Sequence, residues 1–124
     1  SLNIMEESKR QKQVASVIQE EMNDIFLRMG LNMVDGGMVS ISKVKLTPDL
    51  LEARIYLSMF QVTDAKALIG KIEGRTGEIK RLLGLRVKQQ LRRMPELRFF
   101  LDDTLDYVFK MEELFKKINE EKNK

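Results

Sequence analysis

Two residue types on which proteins commonly build chemistry are missing from this chain of 124 residues: there is no cysteine and no histidine. The first absence excludes disulfides and thiolate nucleophiles, and the two together exclude the commonest zinc sites. Without histidine the chain also lacks the usual general base near neutral pH. We therefore expect a protein that is not an enzyme and that has no metal and no cofactor.

Long apolar runs are missing as well. No stretch of about 18 apolar residues occurs, so no membrane span is predicted. The apolar residues Leu2, Ile4 and Met5 are followed at once by charged ones, which argues against a signal peptide. A cytoplasmic location is the expectation. No coiled-coil repeat or obvious dimer strip is visible, and a monomer is expected.

Charge is unevenly distributed along the chain. The net charge is +3, but residues 71–100 contain nine basic and three acidic residues, and the remainder is net acidic. A local basic excess favours a polyanionic partner such as RNA. A solvated helix face would give the same composition, so charge alone does not decide between the two.

The apolar spacing predicts alternating helices and strands. Steps of three and four predict a first helix over residues 6–29. Strands are predicted over residues 38–46 and 50–60, paired as an antiparallel hairpin, the first with a bulge because its apolar phase changes. A helix capped by Thr63 or Asp64 and a further helix to about Arg93 follow, then a third strand and a last helix.

These elements predict an α+β fold: a single domain in the order α-β-β-α-α-β plus a C-terminal helix, with a three-stranded sheet packed against helices. This is the element order of a type II KH domain, in which a G-x-x-G turn between two helices holds nucleic-acid backbone. We assign residues 9–118 to this KH-like domain. Residues 1–8 are an N-terminal extension or the start of the first helix, and residues 119–124 are a charged tail.

The first candidate RNA-binding site is the helix break at Gly74, Arg75, Thr76 and Gly77. Glycines let a ligand backbone come close, and helix N-terminal amides favour an anion. Arg75 adds charge, and the hydroxyl of Thr76 can donate a hydrogen bond. The alternative interpretation is an ordinary helix break.

The second candidate lies on the helix predicted to follow. At 100° per residue, Arg81, Lys88 and Arg92 fall within about 40° of one another, opposite the apolar stripe. Lys80 and Arg93 lie nearby. Cations that neutralise phosphates release counterions, so binding should weaken steeply with salt. The alternative is a charged face that only confers solubility.

A third candidate is the strand face that carries Arg54, Tyr56, Arg98 and Phe100. Its aromatic rings could stack bases. We expect the first or the last helix to cover part of this face.

A fourth candidate is the acidic set Asp102, Asp103 and Asp106. Paired carboxylates can bind magnesium. Their place at a helix start is explained by capping and by the helix dipole.

Several segments of the chain resemble the ribosome-binding factor A family. They are Thr47 to Leu50 with the strand Ala53 to Ser58, Ile79 to Gly84, and above all Pro95 to Leu105. The first helix, with Arg10-Gln11 leading into Val14, is similar too. The resemblance spans roughly residues 9–118.

The resemblance implies a KH-like fold that binds immature small ribosomal subunits (30S) near 16S ribosomal RNA. It implies a role in ribosome biogenesis, late in subunit assembly and in processing of the 16S 5′ end. Members of the family are not enzymes, and they leave when the subunit matures.

The chain departs from the family pattern in two places. Arg75-Thr76-Gly77 stands where an Ala-x-Gly kink is common, and we expect the kink to persist through Gly77. The usual Asp-Pro-Arg loop after the first helix is replaced by residues 31–37. Two other functions remain open: a general single-stranded RNA binder with no ribosomal role, and a magnesium-dependent nuclease that uses Asp102, Asp103 and Asp106.

Overall fold

The computed structural model describes residues 7–122, except for the side chains of residues 104–110. This part of the chain forms four helices and one four-stranded sheet. In chain order the elements are α1 (Lys9–Met29), β1 (Met33–Val34), β2 (Gly37–Leu46), β3 (Glu52–Phe60), α2 (Ala65–Gly74), α3 (Thr76–Val87), β4 (Glu96–Leu101) and α4 (Thr104–Lys122).

Helix α1 begins and ends with well-formed caps. The Ser8 hydroxyl accepts a hydrogen bond from the Gln11 amide at 3.1 Å, and the Gln11 side chain accepts one from the Ser8 amide at 2.7 Å. Gly30 ends the helix with φ 73°, a conformation that favours glycine. The first predicted helix is therefore confirmed over Lys9–Met29, but Glu7 and Ser8 lie outside it because Ser8 is the N-cap.

The sheet has the order β1-β2-β3-β4, so the prediction of three strands is wrong by one. The missed strand, β1, has only two residues and pairs with β2 across Asp35 and Gly36. Both turn residues have positive φ, 50° and 82°, as the Asp-Gly turn of a tight hairpin requires. That dipeptide was the available signal for the extra strand.

The predicted hairpin of β2 and β3 is confirmed, and so is the bulge. The strands are antiparallel, and their register shifts between Ile41 and Lys43. Helix α1 satisfies the backbone at this point, because Asn23 accepts from the Ile41 amide at 2.9 Å and donates to the Ile41 carbonyl at 3.2 Å. The bulge is thereby fixed to the helix.

Of the two central helices, α3 ends earlier than predicted. Asp64, not Thr63, caps α2 by accepting from the Ala67 amide at 3.0 Å. Helix α3 ends at Val87, six residues before the predicted end, and residues 88–90 form a turn. Residues 88–95 connect the end of this helix to β4.

The core lies between one face of the sheet and the first three helices. Alternate β3 residues from Ala53 to Met59 are buried, and they meet apolar residues of α1 and α3 such as Ile18 and Leu83, both fully buried. The other face of the sheet, here called the open face, carries Lys43, Lys45, Arg54, Tyr56, Arg98 and Phe100.

Helix α4 follows β4, and its predicted apolar stripe is buried only in part. Met111 is half-buried, whereas Phe115 and Ile118 are exposed. The stripe residues Leu105 and Val108 lie among those whose side chains are not described. No helix within residues 7–122 is both long and apolar enough to cross a membrane.

Candidate nucleic-acid interface

The junction of α2 and α3 is a break of one residue. Arg75 has φ −104°, and its amide donates to the Ile72 carbonyl at 2.9 Å. The Thr76 hydroxyl donates to the Glu73 carbonyl at 2.6 Å, which holds the corner closed. The expected kink between the two helices is present, but it lies at Arg75 and not at Gly77, which is already in the first turn of α3.

The fold itself does not require glycine at either end of this turn. A Cβ at Gly74 or Gly77 would meet nothing within 4 Å, and neither residue has positive φ. What the two glycines provide is bare backbone at the surface, which a phosphate can approach closely. The amides of the first turn of α3 lie at the same corner, where a helix favours anions.

A groove of about 400 Å³ separates this turn from the edge of the sheet. Glu73 and Thr76 line one side, and residues 97–100 of β4 line the other. Since β4 is the outer strand, its far edge is not paired within the sheet. The turn, the groove and the strand edge thus form one continuous surface.

Four exposed cations follow the turn along the chain. Arg81 lies on α3, and Lys88 continues the helical backbone as its C-cap. Their spacing of seven residues places them about 20° apart around the axis. Arg92 and Arg93 lie beyond the helix, so the predicted ridge is not carried by one helix. Among the described residues, none of the four forms an ion pair.

Four of the other five basic residues among residues 71–100 are already paired with a carboxylate, namely Arg75, Lys80, Arg86 and Arg98, whereas Lys71 forms no ion pair within the described residues. Arg75 contacts Glu78 at 3.1 Å, and Lys80 contacts Glu96 at 2.8 Å. Arg86 contacts Glu21 at 3.0 Å and Asp24 at 2.6 Å, which ties α3 to α1. The sequence did not reveal these pairs. Because they neutralise basic side chains, less positive charge is available to a ligand than the sequence predicted.

The pKa of the Glu96 carboxyl reports the electrostatic field at this edge. The hydrogen bond from Lys80 lowers this pKa below the ordinary glutamate value of 4.5, and the charges of Lys80, Arg93 and Arg98 act in the same direction. Because the folded pKa is the lower one, the stabilisation from this carboxylate is full above about pH 4.5 and is lost as pH falls through the folded value.

We expect Lys80→Met to raise the pKa of Glu96 in an NMR titration, and Lys66→Met on α2 to leave it unchanged. An unaltered Glu96 titration in Lys80→Met would contradict this pairing.

The acidic set does not form a metal site within the described residues. The Ser42 hydroxyl donates to the Asp102 carboxylate at 2.7 Å. No group of three or more acidic side chains in the described part of the chain is placed to hold a metal ion. The side chain of Asp106 lies outside that part.

The third predicted face is the open face of the sheet. Tyr56 and Phe100 stack with ring centroids 5.4 Å apart and an interplanar angle of 27°. The ammonium group of Lys43 lies 4.9 Å from the centre of the Tyr56 ring, a contact that sequence spacing did not reveal. Helix α1 packs on the opposite face, so the expectation that it covers these rings is wrong for α1.

Comparison with known proteins identifies relatives along most of the chain. Residues 10–115 match the family model described as ribosome-binding factor A. The ribosome-binding factor A of Cytophaga hutchinsonii is 40% identical over 112 residues, which cover 90% of this chain and 84% of that protein.

Two structures with the same fold come from Thermus thermophilus. The crystal structure of its ribosome-binding factor A has a TM-score of 0.63 at 14% identity, covering 73% of this chain and 94% of that one. A homology model of the same factor, fitted into a cryo-EM map of its 30S complex, has a TM-score of 0.54 at 16% identity, with coverages of 78% and 96%. The α+β fold and the sequence match agree, and the chain belongs to the ribosome-binding factor A family.

Proposed function

We propose that this protein is a 30S assembly factor that binds free, immature small subunits through their 16S ribosomal RNA. It assists late maturation and processing of the 16S 5′ end, acts in the cytoplasm as a monomer, and works by binding rather than by catalysis. Membership of the family supports this proposal, as does the 30S complex of the Thermus thermophilus factor. The single observation that carries it is the group of four exposed cations on α3 and in the segment after it, which form no ion pair within the described residues.

Within the α+β class, we assign the fold to the type II KH-like domains. Strand β4 lies parallel to β3 and is reached through two helices joined by a tight turn, and this arrangement supports the description. In such a domain the turn Gly74 to Gly77 holds one stretch of RNA backbone. The groove beside β4 then accommodates the bases attached to it.

The basic face, defined as Arg81, Lys88, Arg92 and Arg93, positions the protein on phosphates. Contacts of this kind carry little sequence information, but they fix orientation and supply much of the affinity. Arg75 and Lys80 contribute when phosphate replaces Glu78 or Glu96, since exposed ion pairs are worth at most about 1 kcal/mol. The docked protein holds the RNA beneath it in an immature conformation.

Sucrose-gradient sedimentation of a cell lysate tests the assembly role. We expect the protein to travel with free small subunits at low salt and to be absent from full ribosomes and polysomes. Raising the salt should release it, because the contacts are with phosphates. A protein that stays at the top of the gradient at low salt would favour general single-stranded RNA binding instead.

A further inference from the structure

The open face of the sheet is arranged in rows that cross three strands. The registers place Lys43, Tyr56 and Phe100 in one row, and Lys45, Arg54 and Arg98 in the next. A third row holds Glu52 and Glu96. The rows are two residues apart along each strand, which is about 7 Å. An aromatic row therefore lies directly beside a cationic row.

The aromatic row ends at an accessible ring. Lys43 lies over Tyr56, and Tyr56 stacks on Phe100, so the series runs outward toward the sheet edge. Phe100 lies on the outer strand and is 39% exposed. A cross-strand aromatic pair stabilises a sheet by itself. That role does not require cations in the neighbouring row.

The cationic row is open to an anionic ligand. Arg54 and Arg98 both contact Glu52 through Nε, and their side chains remain 50% and 66% exposed. Lys45 is exposed and forms no ion pair within the described residues. Across the three rows four cations face two carboxylates, and one of these, Glu96, is also bound by Lys80. The excess is positive, and exposed pairs of this kind yield readily to phosphate.

We propose that the open face is a second RNA site, where a single-stranded segment stacks a base on Phe100 and places its phosphates at Arg54 and Arg98. Stacking needs unpaired bases, so duplex RNA does not fit. The groove beside the α2–α3 turn is lined by both Arg98 and Phe100, so it opens onto this face. One RNA strand can thus pass from the turn over the edge of β4. The site does not depend on the basic face.

The chain contains no tryptophan, so Phe100→Trp introduces a single reporter at the stacking position. We expect its emission to be quenched by a short single-stranded oligoadenylate and not by duplex RNA of the same length. Quenching should persist when Arg81, Lys88 and Arg92 are also replaced by glutamate. Loss of quenching in that background, or equal quenching by duplex RNA, overturns the proposal of a separate stacking site.

Affinity measurements by fluorescence anisotropy complete the test. Phe100→Ala should weaken oligoadenylate binding by about five- to 150-fold, the range for removal of a base-stacking ring. Phe100→Leu keeps apolar area without a ring and should weaken binding nearly as much, while Leu114→Ala on α4 should not. Unfolding in urea confirms that each variant is folded. If Phe100→Leu binds as the parent protein does, or if Phe100→Ala only abolishes self-association, the face serves a protein contact and the proposal fails.

Discussion

Replacing Arg81, Lys88 and Arg92 together by glutamate is expected to abolish association with small subunits at low salt. All three side chains are exposed and form no ion pair within the described residues, so each is available to a phosphate. Reversal turns three attractions into repulsions. The dependence of log affinity on log salt should lose about one unit of slope for each phosphate contact removed. Co-sedimentation and binding to a 16S fragment over a range of salt measure both effects.

The matched control reverses three lysines on α4. Lys116, Lys117 and Lys122 are exposed, and Lys→Glu at all three produces the same change in net charge. We expect this control to stay on the subunit, with at most a modest loss. Both variants should unfold at nearly the urea concentration of the parent protein, because isolated surface changes cost within about 0.5 kcal/mol. Equal loss in both variants would show that net charge, and not the basic face, controls binding.

Phe26→Ala is expected to have the largest effect on stability. Phe26 is fully buried, and its ring centroid lies 6.5 Å from that of Phe99 on β4. Truncation of such a ring costs about 3–5 kcal/mol, since it removes burial and leaves a cavity. That is a large part of the 5–15 kcal/mol that typically holds a domain folded. Urea unfolding followed by circular dichroism measures the loss.

Leu27→Ala is the neighbouring control. Its side chain is 59% exposed and lies about 100° from Phe26 around the axis of α1, and alanine suits a helix at least as well as leucine. We expect a change within about 0.5 kcal/mol. A loss as large as that of Phe26→Ala would mean that α1 does not pack as described. Phe26→Ala should also impair the groove beside β4, because Phe26 packs against Phe99, and Phe99 and Phe100 both line that groove.

Most of the fold could be predicted from segments in which apolar residues recur with a regular period. The stripe from Val14 to Ile25 predicted α1, and the alternation from Ala53 to Met59 predicted β3, because a buried face imposes its period on the residues. Strand β1 was not predicted, since a strand of two residues is too short to show an alternation of apolar and polar side chains. The early end of α3 was not predicted either, because Leu91 stays buried after the helix has ended and so continues the apolar pattern.

The candidate site was less accessible to the same reasoning. Spacing along a helix identified Arg81 and Lys88 as neighbours, but ion pairs depend on segments distant in sequence. Lys80 forms an ion pair with Glu96, and Arg86 with Asp24, only once the chain has folded. The stack of Lys43 on Tyr56 depends on the register across the bulge, which no local pattern records. The contribution of these residues to RNA binding stays a prediction until the variants are measured.

The parallel pairing of β3 with β4 has a consequence for how the chain acquires its structure. The β2–β3 hairpin closes through one short turn, whereas pairing of β4 with β3 must close a loop that consists of residues 61–95. Local hairpins form within microseconds, and non-local pairings are slower because a longer loop must close. During synthesis β4 is therefore the last strand to join the sheet. Until it does, the edge of β3 remains open to pairing with other chains, and the ring of Phe26 lacks its partner on β4.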